Sequence, residues 1–296
     1  MIIRNTLGRR IFVIINTIML TVIGVVCLLP FVHLVAVSLS SQSATSANLV
    51  NFLPVGFNIA SYKIILQNKM FLSTLQVSII RVIVGTIANM VFVTLTAYPL
   101  AMQSKQLKGR NAIMWFFVIS ILFNGGLIPT YLVICKVGLM DSFAALIIPT
   151  VLPVWNMILM MNFFRTLPPS LRESAMIDGA RHWTILSRIY IPISKPSIAT
   201  ISLFCIVFHW NAWFDGMIYI NRPENQPLQT FIRSVVENGL NIQALAQQGK
   251  FDLIDKASDV TLRSAQVFIA TAPVLLAYPF LQKYFTKGII VGSVKG

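Results

Sequence analysis

Six stretches of the chain, each 19 to 27 residues long, contain no Asp, Glu, Lys or Arg. An α-helix needs about 20 apolar residues to cross the hydrocarbon core of a bilayer. These run lengths suit helices, and the lack of a two-residue alternation argues against the strands of a membrane barrel. The sequence therefore predicts an all-α polytopic membrane protein with six transmembrane spans, at about residues 11–37, 71–103, 112–135, 142–164, 197–220 and 264–284.

The composition supports the same fold class. The chain is 56% hydrophobic and 11% charged, whereas a typical globular chain carries about 25% charged residues. So few charges cannot cover the surface of a water-soluble domain, and the same figures exclude disordered and collagen-like chains. We expect one transmembrane domain over residues 11–296, preceded by a cytoplasmic N-terminal segment, 1–10.

The basic residues predict the orientation of the spans. The formal net charge is +14, and it is concentrated in alternate loops, as the positive-inside rule describes. The loops assigned to the inner side hold 14 Lys and Arg against two acids, and those on the outer side hold eight against six. We therefore expect both termini in the cytoplasm, and the positive charge needs no nucleic acid to explain it.

The sequence contains no motif for catalysis, nucleotide binding or metal binding. Cys27, Cys135 and Cys205 lie far apart, as do the three histidines, so neither a disulfide framework nor a metal site is predicted. There is no phosphate-binding loop, dinucleotide fingerprint or nucleophile elbow. We expect no catalytic residue and no metal or cofactor bound by this chain.

The loop between the fourth and fifth spans, residues 165–195, is the longest on the inner side. Ser170 followed three residues later by Glu173 predicts a capping box that begins a short helix. Gly179 predicts a left-handed turn after it, and Pro192 and Pro196 should end a second amphipathic stretch before the fifth span begins. The sequence thus predicts a helix–turn–helix outside the membrane, bracketed by two spans.

Two interpretations of this helix–turn–helix are open. It can lie on the lipid surface as an amphipathic hairpin, or it can dock a protein. Acidic residues on the first helix are unfavourable beside anionic lipid, and small residues allow a partner backbone to approach closely, so docking is favoured. The acids are Glu173 and Asp178, and the small residues are Ser174, Ala175, Gly179 and Ala180.

The spacing in this loop resembles the EAA loop of bacterial ABC importer permeases. Glu-Ser-Ala at 173–175, Gly179 and Ile-Tyr-Ile-Pro at 189–192 follow that family's pattern. Ser174 replaces the usual middle Ala, and Ile191 stands where Leu is usual; both are mild changes of size. The resemblance implies that the loop couples to an ATPase subunit, through Ser170, Glu173, Ser174, Ala175, Asp178, Gly179, Ala180 and Pro192.

Four other segments resemble the oligosaccharide and complex-polysaccharide branch of that family: residues 57–62, 124–131, 209–216 and the end from 281. The resemblance implies half of a type I importer channel in a bacterial cell membrane. Its partners would be a second homologous permease, two ATPase subunits that bind ATP and Mg²⁺, and an extracytoplasmic solute-binding protein. The alternative is a stand-alone secondary carrier, which should show inverted repeats and buried carboxylates.

Two ionisable side chains fall within predicted spans, where each is costly and needs a reason. Arg81 in the second span and Asp215 in the fifth lie at similar depths, so they can pair if the two helices touch. Either they form a structural ion pair, or they help to guide a sugar.

Residues suited to sugar binding cluster in the fifth span. Aromatic faces and amide or carboxylate groups recognise sugars, and Trp210, Asn211, Trp213 and Asp215 supply both kinds. In a continuous helix the two tryptophans share one face, and the two polar residues share the next. The tryptophans can equally anchor the span at the membrane surface. The third span adds Asn124, followed by two glycines that would break the helix or admit a neighbour.

The outer loop, residues 221–263, contains one segment with a clear pattern. Residues 227–237 predict a short amphipathic helix with Phe231, Val235 and Val236 as its apolar positions. A lid on the channel mouth and a contact surface for a binding protein are both open.

Overall fold

The computed structural model of the protein describes residues 7–103, 106–238 and 258–293, with side chains described up to residue 276 in the last segment. All regular structure in these ranges is helical. The predicted all-α fold class is confirmed. The first six residues of the N-terminal segment and residues 239–257 of the outer loop lie outside the described part.

The first half of the chain contains two long helices and several short ones. Its helices are α1 (Leu7–Ser38), α2 (Gln42–Ser46), α3 (Ala60–Gln67), α4 (Lys69–Ala101), α5 (Arg110–Leu122), α6 (Leu127–Lys136) and the 3-10 helices Phe143–Leu146 and Ile148–Thr150.

The second half begins with the end of the fourth span and contains the coupling loop. Its helices are α7 (Val154–Thr166), α8 (Pro169–Ile177), α9 (His182–Ile185), the π-helix Leu186–Tyr190, α10 (Ile191–Ile193), α11 (Lys195–Asn211), α12 (Phe214–Tyr219), the 3-10 helix Pro223–Asn225, α13 (Leu228–Asn238) and α14 (Asp259–Ser293).

Among the described residues, only α1 and α4 are each long and apolar enough to cross a membrane as one uninterrupted helix. The most apolar window of α1 has a mean hydropathy of 2.7 and buries none of its residues in this chain, whereas 33% of the corresponding window of α4 is buried. Side chains of α1 are thus free to face lipid or another protein, while α4 is a central helix.

The predicted third, fourth and fifth spans, 112–135, 142–164 and 197–220, are each interrupted, and the third breaks at the two glycines where the sequence allowed a break. The helix axis bends by 116° between α5 and α6, and by 48° between the 3-10 segment Phe143–Thr150 and α7. Gly126, with φ +89°, turns the chain at the first break, while Pro149 and Pro153 interrupt the second. The fifth span stops at Asn211 and restarts at Phe214.

The chain forms two compact units. One consists of the described residues up to Lys69 together with the described residues between Ser234 and Ala272. Within it, the Ser61 hydroxyl donates to the Thr261 hydroxyl at 2.9 Å, which joins α3 to α14. One transmembrane domain over residues 11–296 stays a prediction.

The other unit consists of Met70–Arg233 and the described residues from Pro273 onward. Its main apolar core joins α4, α7, the segment from α9 to the π-helix, and α11. The coupling loop is therefore packed onto three spans through a shared core. The buried members include Val93, Ala97, Met157, Met160, Met161, Phe164, Ile185, Leu186, Tyr190 and Ile201.

The predicted helix in the outer loop is present as α13. Phe231 and Val235 are buried, as the pattern predicts, but Val236 is 47% exposed. The helix begins at Leu228, whose N–H donates to the Ser78 hydroxyl of α4 at 2.8 Å. The first turn of α13 is therefore held against the second span.

Candidate coupling loop and translocation path

The coupling helix α8 begins differently from the prediction. It starts at Pro169, and Pro168 in the capping position makes no side-chain capping bond. A proline at the first helical position needs no N–H partner and already has a helical φ, so the helix begins before Ser170. That serine lies inside the first turn, and the predicted capping box with Glu173 is wrong.

The turn after α8 is the one that the sequence predicts. Gly179 has φ +79°, a left-handed conformation that costs glycine little. Its N–H donates to the Met176 carbonyl at 3.1 Å, and the Ala180 N–H donates to the Ala175 carbonyl at 2.9 Å. These two bonds satisfy carbonyls at the end of α8 and fix the exit of the chain.

The two sides of α8 differ in character. Arg172 and Ala175 are buried. The opposite side exposes Glu173 and Ser174, and Ile177 beside them is 86% exposed. Of the other predicted coupling residues, Ser170, Asp178, Gly179 and Pro192 are exposed, and Ala180 is partly buried.

The second half of the loop is anchored in the core. Tyr190 packs edge-on against Tyr98 of α4, with ring centroids 5.1 Å apart, and against Phe164 of α7 at 5.4 Å. The helical backbone continues through Pro192 and ends at Ile193, between the two prolines that mark the predicted end. These contacts join the second half of the loop to α4 and α7.

Arg81 and Asp215 form an ion pair, as their predicted depths allowed. Arg81 is completely buried, and both of its terminal nitrogens donate to the two carboxylate oxygens. One of them also donates to the Ala212 carbonyl at 3.3 Å. This carbonyl lies at the break in the fifth span, where no helical partner is available. The geometry favours the structural interpretation of the pair.

The break separates the residues that a continuous helix would align, so the prediction of shared faces is wrong. Trp210 is 7% exposed at the end of α11, while Asn211 is exposed. The Trp213 carbonyl accepts from the Thr230 hydroxyl of α13 at 2.7 Å, and the Arg233 guanidinium lies 3.8 Å from the Trp213 ring centre. Trp213 is therefore held by the outer helix.

Asn124 shapes the break in the third span. Its side-chain oxygen accepts from the Gly126 N–H at 3.0 Å, a local bond that stabilises a turn. The residue is exposed and is not brought next to the residues of the fifth span.

A cavity that the sequence did not predict lies between α4, the start of α7 and α11, with a volume of about 610 Å³. Asn89 and Asn156, both more than 90% buried, contribute amide groups to its wall. Its size falls within the usual range for ligand sites. The aromatic part of the lining consists of Trp155, Phe204 and Phe208.

The sequence contained one signal for this cavity. Asn89 and Asn156 are amides within apolar runs, where a polar group needs a partner. Their convergence depends on the packing of α4 against the broken fourth span, which no local pattern shows. Among the described residues, no cluster of His, Cys, Asp or Glu suits a metal ion.

Comparison with known proteins identifies clear relatives. The family described as "Binding-protein-dependent transport system inner membrane component" matches residues 85–291. A polygalacturonan/rhamnogalacturonan transport system permease protein of Bacillus subtilis (strain 168), YtcP, is 38% identical over 280 residues, which are 94% of this chain and 96% of the relative. Protein LplC of the same organism is 38% identical over 294 residues, covering 99% and 97%.

One solved structure matches over almost its whole length. It is a chain of a bacterial ABC transporter involved in the import of the acidic polysaccharide alginate. The TM-score is 0.88 at 30% identity, and the match covers 96% of this chain and 99% of the other.

Proposed function

The chain belongs to the family of binding-protein-dependent transport system inner membrane components, and from this membership we propose that it is one permease subunit of an ATP-driven importer of oligosaccharides or complex glycans. Members of the family are parts of transport systems, so the chain is a transport subunit and not an enzyme. It would form half of the translocation path, beside a second homologous permease.

The proposed partners divide the work. An extracytoplasmic binding protein delivers the glycan, and two ATPase subunits bind ATP and Mg²⁺ on the cytoplasmic side of a bacterial cell membrane. Both termini of this chain lie on that side, in agreement with its basic inner loops. Relatives that carry polygalacturonan or alginate support the glycan class.

The observation that carries the proposal is the two-sided character of α8. Its exposed side combines an acid with Ile177, which is 86% exposed, while its buried side and the following turn continue into the core of three spans. Exposed apolar residues next to polar ones are typical of protein interfaces. A push on α8 from an ATPase would therefore move the spans as a rigid body.

Reversing the charge of Glu173 tests this docking. Glu173→Lys changes an exposed side chain, so the permease should fold and reach the membrane. We expect at least about a tenfold loss of ATPase subunit that copurifies with the permease, the equivalent of about 1.4 kcal/mol, and a matching loss of ATP-driven uptake.

The matched control is Glu224→Lys, an equal charge reversal at an exposed position of the outer loop. It should copurify ATPase as the unaltered protein does. If the Glu173→Lys permease copurified ATPase and supported ATP-driven uptake normally, α8 would not be the docking helix. A permease that accumulates sugar without any ATPase would instead be a stand-alone carrier.

The cavity between α4, α7 and α11 is the proposed place where this subunit contacts the glycan. Trp155→Ala should raise the KM for ATP-driven uptake of alginate or polygalacturonan fragments about two- to tenfold, because one aromatic contact contributes about 0.5–1.5 kcal/mol. Trp115→Ala is the control, since Trp115 is 64% exposed and Trp155 is 65% exposed, but Trp115 does not line the cavity. Equal KM values for the two variants in proteoliposomes would contradict the assignment.

A further inference from the structure

A second crevice, of about 410 Å³, lies on the buried side of α8. The end of α4, the start of α5, the end of α7 and the first turn of α8 form its walls. Its polar lining consists of two tyrosines, two glutamines and three arginines: Tyr98, Tyr190, Gln103, Gln106, Arg110, Arg165 and Arg172. The crevice is on the side of α8 away from Glu173, so it is distinct from the surface proposed to dock an ATPase.

The crevice concentrates positive charge. Three arginines line it, and no Asp or Glu does. Arg110 and Arg165 each donate to the Leu100 carbonyl, at 2.8 Å and 3.3 Å, and Arg172 donates to the Gln106 side-chain oxygen. In the part of the chain that the structure describes, none of the three takes part in an ion pair.

Of the three arginines in this crevice, Arg172 is the one that most needs an anionic partner. The residue is 7% exposed, and its Nε is buried without a hydrogen-bond partner. Burial raises the pKa of the Tyr190 hydroxyl, and the Arg172 guanidinium offsets only part of this rise. The Tyr190 hydroxyl therefore stays neutral. A buried guanidinium without an anion is costly, and no lining group supplies the negative charge.

We propose that this crevice binds a phosphate group. Guanidinium groups match the geometry of phosphate oxygens and bind them through paired hydrogen bonds, and the side-chain amides of Gln103 and Gln106 add further donors. The group can come from an anionic phospholipid, because basic residues at the inner end of a span attract such headgroups, or from free phosphate.

The bound phosphate would act on the coupling loop. It would offset part of the positive charge of the three arginines and connect α8 to α5 and α7, whose residues line the same crevice. The structure therefore assigns the buried side of α8 to an anion that stiffens the loop, whichever protein docks on the exposed side.

The test uses the assembled permease complex in nanodiscs. Three preparations are compared: phosphatidylcholine alone, phosphatidylcholine with phosphatidylglycerol, and phosphatidylcholine with inorganic phosphate at an ionic strength matched by chloride. We expect one of the two preparations that add a net negative phosphate, as phosphatidylglycerol or as inorganic phosphate, to raise the thermal unfolding midpoint by about 2–4 °C above that in zwitterionic phosphatidylcholine alone. Stabilisation by phosphatidylglycerol identifies a lipid site, and stabilisation by inorganic phosphate identifies a soluble ligand.

Charge-removing variants locate the effect. Arg172→Gln should abolish the rise and reduce retention of phosphatidylglycerol in native mass spectrometry, or of radiolabelled phosphate, at least about tenfold, since hydrogen bonds to charged groups contribute strongly. Arg110→Gln serves the same purpose if Arg172→Gln does not fold. Lys108→Gln removes an equal charge from an exposed position of the loop between α4 and α5 and should leave both effects intact.

Two results would overturn the proposal. One is no stabilisation by either source of phosphate. The other is an equal reduction in Arg172→Gln and Lys108→Gln, which would indicate general charge attraction. Neither result depends on ATPase copurification, so failure here is distinguishable from failure of the docking proposal.

Discussion

Replacing Arg81 by Met should destabilise the permease by about 3–5 kcal/mol, the usual cost of breaking a buried ion pair by removing one partner. Arg81 is completely buried, and the Asp215 side chain is 22% exposed, so the remaining carboxylate would be left largely desolvated. The variant would also release the Ala212 carbonyl at the break in the fifth span. Thermal unfolding of the purified complex measures the loss.

Two further variants make this prediction specific. Arg222 pairs with Asp141 at 3.4 Å, but its side chain is 68% exposed, so Arg222→Met should cost no more than about 1 kcal/mol. Combining Arg81→Met with Asp215→Asn removes the unpaired charge and should recover part of the loss. If Arg81→Met folds like Arg222→Met but fails in uptake, Arg81 guides the sugar and the structural assignment is wrong.

Gly85→Leu should be almost as damaging, at about 3 kcal/mol, the upper end of the usual overpacking cost. A Cβ on Gly85 would lie 2.5 Å from Nε2 of His209 and 2.6–2.7 Å from two ring carbons. His209 is fully buried, and the Asn89 amide lies 3.3 Å from the same nitrogen, so the ring has no room to move. We expect a lower unfolding midpoint and a poor yield of monodisperse complex.

The control for this prediction is Gly24→Leu in α1. No atom lies within 4 Å of a Cβ built there, and leucine favours a helix over glycine by several tenths of a kcal/mol. The control should therefore be neutral or slightly stabilising. Adding His209→Ala to Gly85→Leu should restore part of the stability, and an unfolding midpoint unchanged by Gly85→Leu would show that α4 and α11 do not approach closely.

The close approach of α4 and α11 illustrates what the sequence could and could not predict. The sequence indicates that Arg81 and Asp215 each need a partner, because an isolated charge in a span is costly. It did not indicate that Gly85 is the point where a histidine ring touches the backbone. A glycine within an apolar run gives the same local sequence pattern in two different settings. In one it lies on an exposed helix that faces lipid, and in the other it lies against a buried side chain.

The coupling loop also shows which features the sequence could predict and which it could not. The left-handed turn at Gly179 follows from its own backbone freedom and the residues beside it, and it was predicted. The capping box was wrong because Ser170 and Pro169 both suit the start of a helix, and the pattern does not rank them. The crevice with Arg172 was also missed, since its three arginines come from separate parts of the chain.

The sequence by itself determined the all-α fold class and the position of the helix–turn–helix loop, residues 165–195. These depend on the length of apolar runs and on local turn chemistry. Only the tertiary structure decided where the third, fourth and fifth spans break, which amides line the cavity, and which arginines share a crevice. At the break after Asn211 neither glycine nor proline is present in the two intervening residues. The chain can leave the helix there because Arg81, 131 residues away in sequence, donates a hydrogen bond to the freed Ala212 carbonyl.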